Sequence, residues 1–246
     1  MDQHFKIITP VYNSQDWIGK CIESTKSQTY TDFEHIIVDD CSTDDTLKTA
    51  LEVIDGDSRF IVIKKKIKLG VMHSHVIGMT FFPIHDSDPE VVFVHLDGDD
   101  WLAHDKVFEK VNEVYNEEDC WMTYGNYETT DGSQSVCAPR VKDRPIRRHI
   151  IEGGWPFSHL RTFKKFLWDK VKMGSLKDSN GKMFTSACDT ALMSPMLEMA
   201  GDNIHFIKDV LYVYNRDNPL NEDKDHLKDQ VRCAFEIVKQ TPYESL

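Results

Sequence analysis

No Cys-x-x-Cys pair, no apolar run of membrane-spanning length and no excess of positive charge occurs in this 246-residue chain, and each absence removes a class of function. The six cysteines, Cys21, Cys41, Cys120, Cys137, Cys188 and Cys233, are scattered. That spacing argues against a zinc site and a disulfide framework, so free thiols are expected. No hydrophobic stretch approaches the roughly 20 residues that cross a bilayer. The start, MDQHFKIITP, has neither the basic segment nor the apolar segment of a secretory leader, which makes a soluble, cytoplasmic protein the expectation. Basic residues are scarce: 29 Lys and Arg stand against 41 Asp and Glu, a net charge of −12. Nucleic acid is therefore not an expected partner, because phosphate neutralisation needs a basic face. Any anionic ligand has to be met by local positive charge.

Short apolar runs alternate with helical patterns through the first half. FKIIT (5–9), FEHIIV (33–38), FIVIK (60–64) and VVFVHL (91–96) read as strands. The last is almost continuously apolar, as in a strand buried on both faces. A turn, PVYNS, follows the first strand, and Trp17, Ile18, Cys21, Ile22 and Thr25 then share one helical face. In DDCSTDDT, Ser42 is placed to cap a helix with Asp45 at the capping-box position. GVMHSHVIGMTFF (70–82) completes an order β-α-β-α-β-α-β, which predicts an α/β fold with a parallel sheet and right-handed crossovers, most simply one domain. Ligands of such sheets bind at the carboxyl ends of the strands. Thr9 to Tyr12, Asp39 with Asp40, and Asp97 to Asp100 all fall at those ends and are expected to face one crevice.

The second half is less regular. CWMTYG (120–125) and VLYVYN (210–215) read as strands, and SHLRTFKKFLW (158–168) and SACDTALMSPMLEMAG (186–201) as helices, the latter interrupted by Pro195. The basic run from Arg140 to His149 reads as a solvated loop. Leu227, Val231, Phe235 and Val238 near helical spacing predict a packing helix within 223–240.

The stretch HLDGDDWL (95–102) crowds Asp97, Asp99 and Asp100 into four residues. Each close carboxylate pair repels by roughly 4 kcal/mol at an effective dielectric of 20, so a metal ion, a basic partner or water must compensate them. An EF-hand loop is excluded, since it requires an oxygen side chain at Trp101, glycine at Leu102 and a carboxylate at Phe108. His73, His75, His95 and His104 lack a third ligand at metal-binding spacing and read as core or solvated residues.

Four segments in this order, IITPVYNSQDWIGKCIES, IIVDDCSTDDT, LDGDDWL and ACDTALMSPMLEMAG, resemble those of a family-2 glycosyltransferase of the GT-A fold. The resemblance implies a GT-A domain over 1–218, with a nucleotide-sugar half (1–103) and an acceptor half (104–218), and a helical tail (219–246) packed on it. The implied chemistry is metal-dependent transfer of a sugar, with inversion, from a nucleotide-diphosphate donor to a hydroxyl of a glycan or other acceptor, with a UDP-sugar favoured. Thr9, Pro10 and Tyr12 would then hold the base, Tyr12 by stacking, and Asp39 would contact base or ribose. Asp97, Gly98 and Asp99 would form the Asp-x-Asp turn that holds the ribose and, through its two carboxylates, Mn²⁺ or Mg²⁺. Such a hard cation suits carboxylate and phosphate oxygens. Trp101 would anchor the turn, and Asp189 falls where the family keeps its catalytic base.

The chain departs from the family pattern at three places. Cys188 stands where the family usually has Glu, His73 and His75 replace an Arg and Asn, and YNRDNPLN replaces a Tyr-Arg-x-His that supplies a histidine ligand. His159 or Arg216 is the expected substitute contact to the diphosphate. Two rivals are a sugar-1-phosphate nucleotidyltransferase and a non-catalytic sugar-nucleotide or glycan-binding module. The first needs a glycine-rich loop followed by Arg and Lys after strand one, and TPVYNS has neither. Donor turnover separates the second.

Overall fold

The computed structural model describes residues 2–81, 88–133, 139–140, 144–152, 155–219 and 227–246. The first half builds β1 (Phe5–Val11), α1 (Ile18–Lys26), β2 (Phe33–Asp39), α2 (Thr46–Ile54), β3 (Phe60–Lys64), α3 (Val71–Thr80) and β4 (Val92–His95). The second adds β5 (Trp101–Leu102), α4 (Val107–Glu117), β6 (Met122–Thr129), α5 (Ile146–Glu152), β7 (Arg161–Lys164), α6 (Lys165–Asp169), α7 (Cys188–Ala200), β8 (Ile204–Tyr214) and α8 (Leu227–Lys239). All the described strands join one mixed, largely parallel sheet in the order β3-β2-β1-β4-β7-β6-β8-β5. β3, β2, β1 and β4 run parallel, and β7 enters antiparallel between β4 and β6.

The period-two alternation of a strand divides the core into two layers. Ile7, Val92 and Val94 pack on one face with Ile18 and Ile22 of α1 and Phe108 of α4. Ile8 and Phe93 pack on the other with Met79 of α3 and Leu192 and Met196 of α7. Because both faces are covered, VVFVHL is apolar throughout. α3 lies close against β1: a Cβ at Gly78 would sit 2.6 Å from Ile8 Cγ2, so only glycine permits this approach.

Several expectations need correction. β1 continues through Pro10 and Val11, so the turn begins later; Pro10 lies beyond the last β1–β4 pair, Ile8 with His95, where its missing N–H costs no sheet bond. Asp44, not Ser42, takes the amide of Thr46 at 3.0 Å, and Ser42 Oγ instead accepts from the Asn13 amide. Within the predicted helix at 158–168, Arg161–Lys164 is a strand and helix begins only at Lys165. Thr162 Oγ1 is fixed there by Tyr115 Oη at 2.9 Å and Thr123 Oγ1 at 2.6 Å, and Phe163 packs on Phe93, so sheet pairing overrides the helical spacing. The described part of the basic run is not simply a solvated loop, since Ile146–Glu152 forms α5. Arg147 is buried at the start of α5, grips Glu198 of α7 at 2.6 and 3.1 Å, and donates to the carbonyl oxygens of Ile237 and Gln240 at the end of α8. Cys137 lies outside the described residues; the other five cysteines are free thiols. No described helix is long and apolar enough to cross a membrane.

His35 of β2 couples β1 to α1. Its Nε2 is 2.8 Å from Thr9 Oγ1 and its Nδ1 2.9 Å from Thr25 Oγ1. Thr25 gives its own hydroxyl proton to the Ile22 carbonyl oxygen, so Nδ1–H donates to Thr25 and Nε2 accepts from Thr9. Burial lowers this imidazole to about 3. An unfolded chain protonates it near pH 6.5 and the folded one does not, so its contribution to stability is full above about 6.5 and declines as pH falls toward 3. The stability gap between wild type and His35→Asn is therefore expected to shrink by about 1.4 kcal/mol between pH 7.5 and 5.5, followed by denaturant unfolding at both pH values. A gap independent of pH would show that His35 titrates normally.

Candidate active site

The carboxyl ends of β1 and β4 open onto a cleft of about 360 Å³ that also receives residues of the second half. Its floor is the acidic turn after β4. Asp100 is fully buried and accepts from Tyr212 Oη at 2.5 Å and the Asn215 amide at 2.7 Å. Burial first, then the charges of Asp99 and Asp97, push its carboxyl well above the usual range. Burial likewise raises Asp99, against the opposing hydrogen bond from Asn218 Nδ2 at 2.6 Å. The Asp97 amide donates to Tyr212 Oη at 3.3 Å. Asp100 is thus committed to the protein, while Asp97 and Asp99 are half-buried and line the cleft. Among the described residues no three His, Cys, Asp or Glu side chains converge as a metal-ligand set. Two carboxylates completed by substrate phosphates are nevertheless a common seat for Mg²⁺, and the all-oxygen donor set fits such an ion.

Trp101 is buried in β5, opposite Val213 of β8, and Lys20 Nζ of α1 lies 3.4 Å from its ring centroid. The side chain therefore clamps the turn between the two halves of the fold.

The opposite wall comes from β7 and α7. Arg161 pairs with His95 across the β4–β7 ladder, donates through Nε to the Phe157 carbonyl oxygen at 3.1 Å, and meets Asp189 Oδ2 at 2.9 Å. Asp189 opens α7, where the helix dipole favours an acid. Three histidines, His75 and His95 buried and His159 partly buried, lie near the guanidinium. His75 stacks on His95 at 4.5 Å and His159 on Tyr212 at 4.3 Å. Burial, followed by the charge of Arg161, lowers His75 to about 4. Burial chiefly also takes His95 and His159 well below the ordinary value. All three are neutral at physiological pH, which leaves Arg161 as the one formal cation among the described lining residues.

Pro10, Tyr12, Asp97, Gly98, Asp99 and Asp189 all line this cleft. Thr9 does not: its hydroxyl is buried against His35. Asp39 is also buried outside the lining; Oδ1 accepts from the Ser42 amide at 3.2 Å and Oδ2 has no described partner. Asp40 leaves the crevice altogether and pairs with Lys65 at 2.6 Å. Tyr12 lines the cleft with Lys68 Nζ 3.3 Å from its ring centroid. Of the two substitute contacts, His159 reaches the cleft, whereas Arg216 is exposed and 3.8 Å from Asp131. Sequence reasoning missed Arg161, Tyr212 and Asn218. Arg161 was hidden by the helical reading of its segment, although the Thr-Phe that follows is strand chemistry. Tyr212 and Asn218 gave no local signal, because their partners lie 112 and 119 residues away.

Gly98 is a steric requirement. A Cβ there would lie 2.8 Å from Val11 Cγ2, 2.9 Å from Val11 Cβ and 3.1 Å from the Pro10 carbonyl oxygen. Gly98→Ala is expected to cost about 1–3 kcal/mol through forced displacement, measured by denaturant unfolding. Unchanged stability would mean that the acidic turn is free to move off β1.

Comparison with known proteins places this geometry. The sequence model of the family Glycosyl transferase family 2 matches residues 6–174. Glycosyltransferase GlyG of Streptococcus pneumoniae is 27% identical over 230 residues, covering 88% of this chain and 72% of that protein. UDP-Glc:alpha-D-GlcNAc-diphosphoundecaprenol beta-1,3-glucosyltransferase WfaP of Escherichia coli is 32% identical over 121 residues, 49% of this chain and 45% of its own length. Several curated relatives are matched over under half of their length, GlyA of Streptococcus pneumoniae over 18%. Among solved structures, S. aureus TarS 1-349 in complex with UDP-GlcNAc superposes with a TM-score of 0.72 at 18% identity, over 98% of this chain and 68% of that one. Glucosyl-3-phosphoglycerate synthase from Mycobacterium tuberculosis, in complex with Mn²⁺, UDP-Glc and phosphoglyceric acid, gives 0.61 at 15% identity, over 96% and 80%. At these identities the structural likeness speaks for the fold, and the family match covers well over half of the sequence. With the acidic turn after β4 and the cleft it floors, these findings establish that the chain belongs to glycosyl transferase family 2 and has the GT-A fold.

Proposed function

We propose that this protein transfers a sugar from a nucleotide-diphosphate donor, with UDP preferred, to a hydroxyl of a glycan or other acceptor, with inversion at the anomeric carbon and with Mn²⁺ or Mg²⁺. The observation that carries the reading is the difference in burial within the acidic turn. Asp100 is buried and held by Tyr212 and Asn215, while Asp97 and Asp99 are half-buried in the same cleft that Asp189 lines. Structural neighbours support it: TarS and the phosphoglycerate synthase have been solved in complex with uridine nucleotides, and the latter with Mn²⁺. A mannosyltransferase from Pyrobaculum calidifontis is described with GDP-Man and Mn²⁺ at a lower TM-score of 0.58.

In this reading Pro10 and Tyr12 form the base-binding rim, with Tyr12 offering its ring. Thr9 acts from beneath by fixing His35 and so the end of β1. The buried second oxygen of Asp39 is an acceptor for a base N–H or a ribose hydroxyl. Gly98 lets the backbone of the acidic turn approach β1, which sets where Asp97 and Asp99 meet the donor. A divalent cation held there supplies compensation for the charge that develops on the leaving diphosphate.

Asp189 is assigned as general base. Arg161 engages Oδ2 at 2.9 Å, so Oδ1 is the oxygen that takes the proton from the acceptor hydroxyl as its oxygen bonds to the anomeric carbon. Arg161 is itself held by the Phe157 carbonyl, which gives the carboxylate a fixed aim. The neutral histidines provide a polar wall without adding charge.

Asp189→Asn keeps shape but loses the proton-accepting oxygen. The expected result is unchanged donor affinity with kcat lower by at least about a hundredfold, measured by nucleotide release with acceptor present. Near wild-type turnover would remove Asp189 from the role of base. UDP is also expected to displace bound donor more effectively than GDP in a competition titration; the reverse order would overturn the base preference and leave the fold untouched.

A further inference from the structure

The loop that joins β3 to α3 is fastened from below and bare above. Asp40, buried beneath it, receives Lys65 Nζ at 2.6 Å and the amides of Leu69 and Gly70 at 2.9 and 2.7 Å. Cys41 Sγ lies 3.2 Å from the Lys65 carbonyl oxygen. A backbone tied at these points has already lost its conformational entropy and presents its side chains in place. Those side chains are unusual for a protein of net charge −12. Ile67 is 64% and Leu69 42% exposed, interleaved with exposed Lys64, Lys66 and Lys68, and none of these lysines forms an ion pair with a described residue. Lys68 lies over the ring of Tyr12, so the patch borders the mouth of the cleft.

Exposed aliphatic side chains between lysines suit an interface that is negatively charged outside and apolar just beneath. A purely electrostatic ligand would leave Ile67 and Leu69 unexplained, and a purely apolar one would leave the lysines unexplained. We propose that this loop docks the protein on an anionic phospholipid surface, with Lys64, Lys66 and Lys68 at the headgroup phosphates, Ile67 and Leu69 in the interfacial layer, and the cleft mouth at the same surface. The remaining acidic surface is repelled by such a bilayer, so contact through this patch also orients the molecule.

Flotation with vesicles tests this. Protein is mixed with vesicles of phosphatidylcholine alone or with about 30 mol % phosphatidylglycerol, at about 0.1 M and about 1 M salt. Wild type is expected to float with the anionic vesicles at low salt, and much less with neutral vesicles or at high salt. Each lysine is worth roughly fivefold in partitioning, so K64Q/K66Q is expected to lower it about 25-fold, and Ile67→Ser to lower it while leaving the salt dependence in place. Both change exposed side chains, Lys64 at the end of β3 and the others in the loop after it, and unfolding curves matching wild type verify that the variants fold. Equal flotation with the two vesicle types, flotation with neither, or a K64Q/K66Q variant that floats like wild type would overturn the proposal. So would a loss of UDP affinity in that variant without any change in flotation, which would place the lysines in the donor site. Nucleotide release is read separately, so failure here leaves the transferase reading intact.

Discussion

Asp100 is buried in the turn between β4 and β5 with Tyr212 Oη at 2.5 Å and the Asn215 amide at 2.7 Å, partners 112 and 115 residues further along the chain. Through these two bonds the last strand holds the turn that leaves β4. Immediately beyond, Trp101 and Leu102 pair with Val213 and Tyr212, so covalent continuity, sheet pairing and the buried carboxylate all fix the same few residues. A buried carboxylate deprived of its donors is expensive, of order 1–3 kcal/mol or more for each bond lost. The constraint therefore acts in both directions: β8 positions the acidic turn, and the acidic turn specifies where β8 must lie. The opposing wall follows the same logic, since Arg161 on β7 is set by its ladder partner His95 and in turn aims Asp189.

Charge explains the composition of the cleft. Asp97, Asp99, Asp100 and Asp189 line it, and Arg161 is the one formal cation among its described residues. Burial holds His75, His95 and His159 neutral, so they offer polar contact without relieving the acid. The same burial pushes Asp99 and Asp100 upward, the signature of carboxylates held without full compensation. On the proposed reading, an anionic diphosphate would need accompanying positive charge to enter such a site.

The part of the fold written in local pattern was legible in the sequence. Alternating apolar runs with strand-end acids are a short-range signal, and β1 to β4 with their helices follow it. The misreadings arose where a distant partner decides. Arg161 to Lys164 have the spacing of a helix, yet Thr123, Tyr115 and Phe93 draw them into the sheet. Arg147 reads as a surface charge until Glu198 is brought to it across 51 residues. Within the site, Tyr12, Asp97, Gly98, Asp99 and Asp189 were found from strand ends and family resemblance. Thr9 and Asp39 were named by the same reasoning but lie outside the cleft lining, because the Thr9 hydroxyl is tied to His35 and one Asp39 oxygen to the Ser42 amide. Asn218 and Tyr212 had no local signature, since their importance lies in reaching back to Asp99 and Asp100.

Isothermal titration of UDP into the protein, in Mn²⁺ and again in EDTA, bears most directly on the role of the acidic turn. Repulsion of roughly 4 kcal/mol per uncompensated close charge pair corresponds to about three decades in affinity. UDP is expected to bind at least about a hundredfold more tightly with the metal present, and Asp99→Asn is expected to abolish most of that difference. Equal affinity in Mn²⁺ and in EDTA would contradict a cation seat on Asp97 and Asp99.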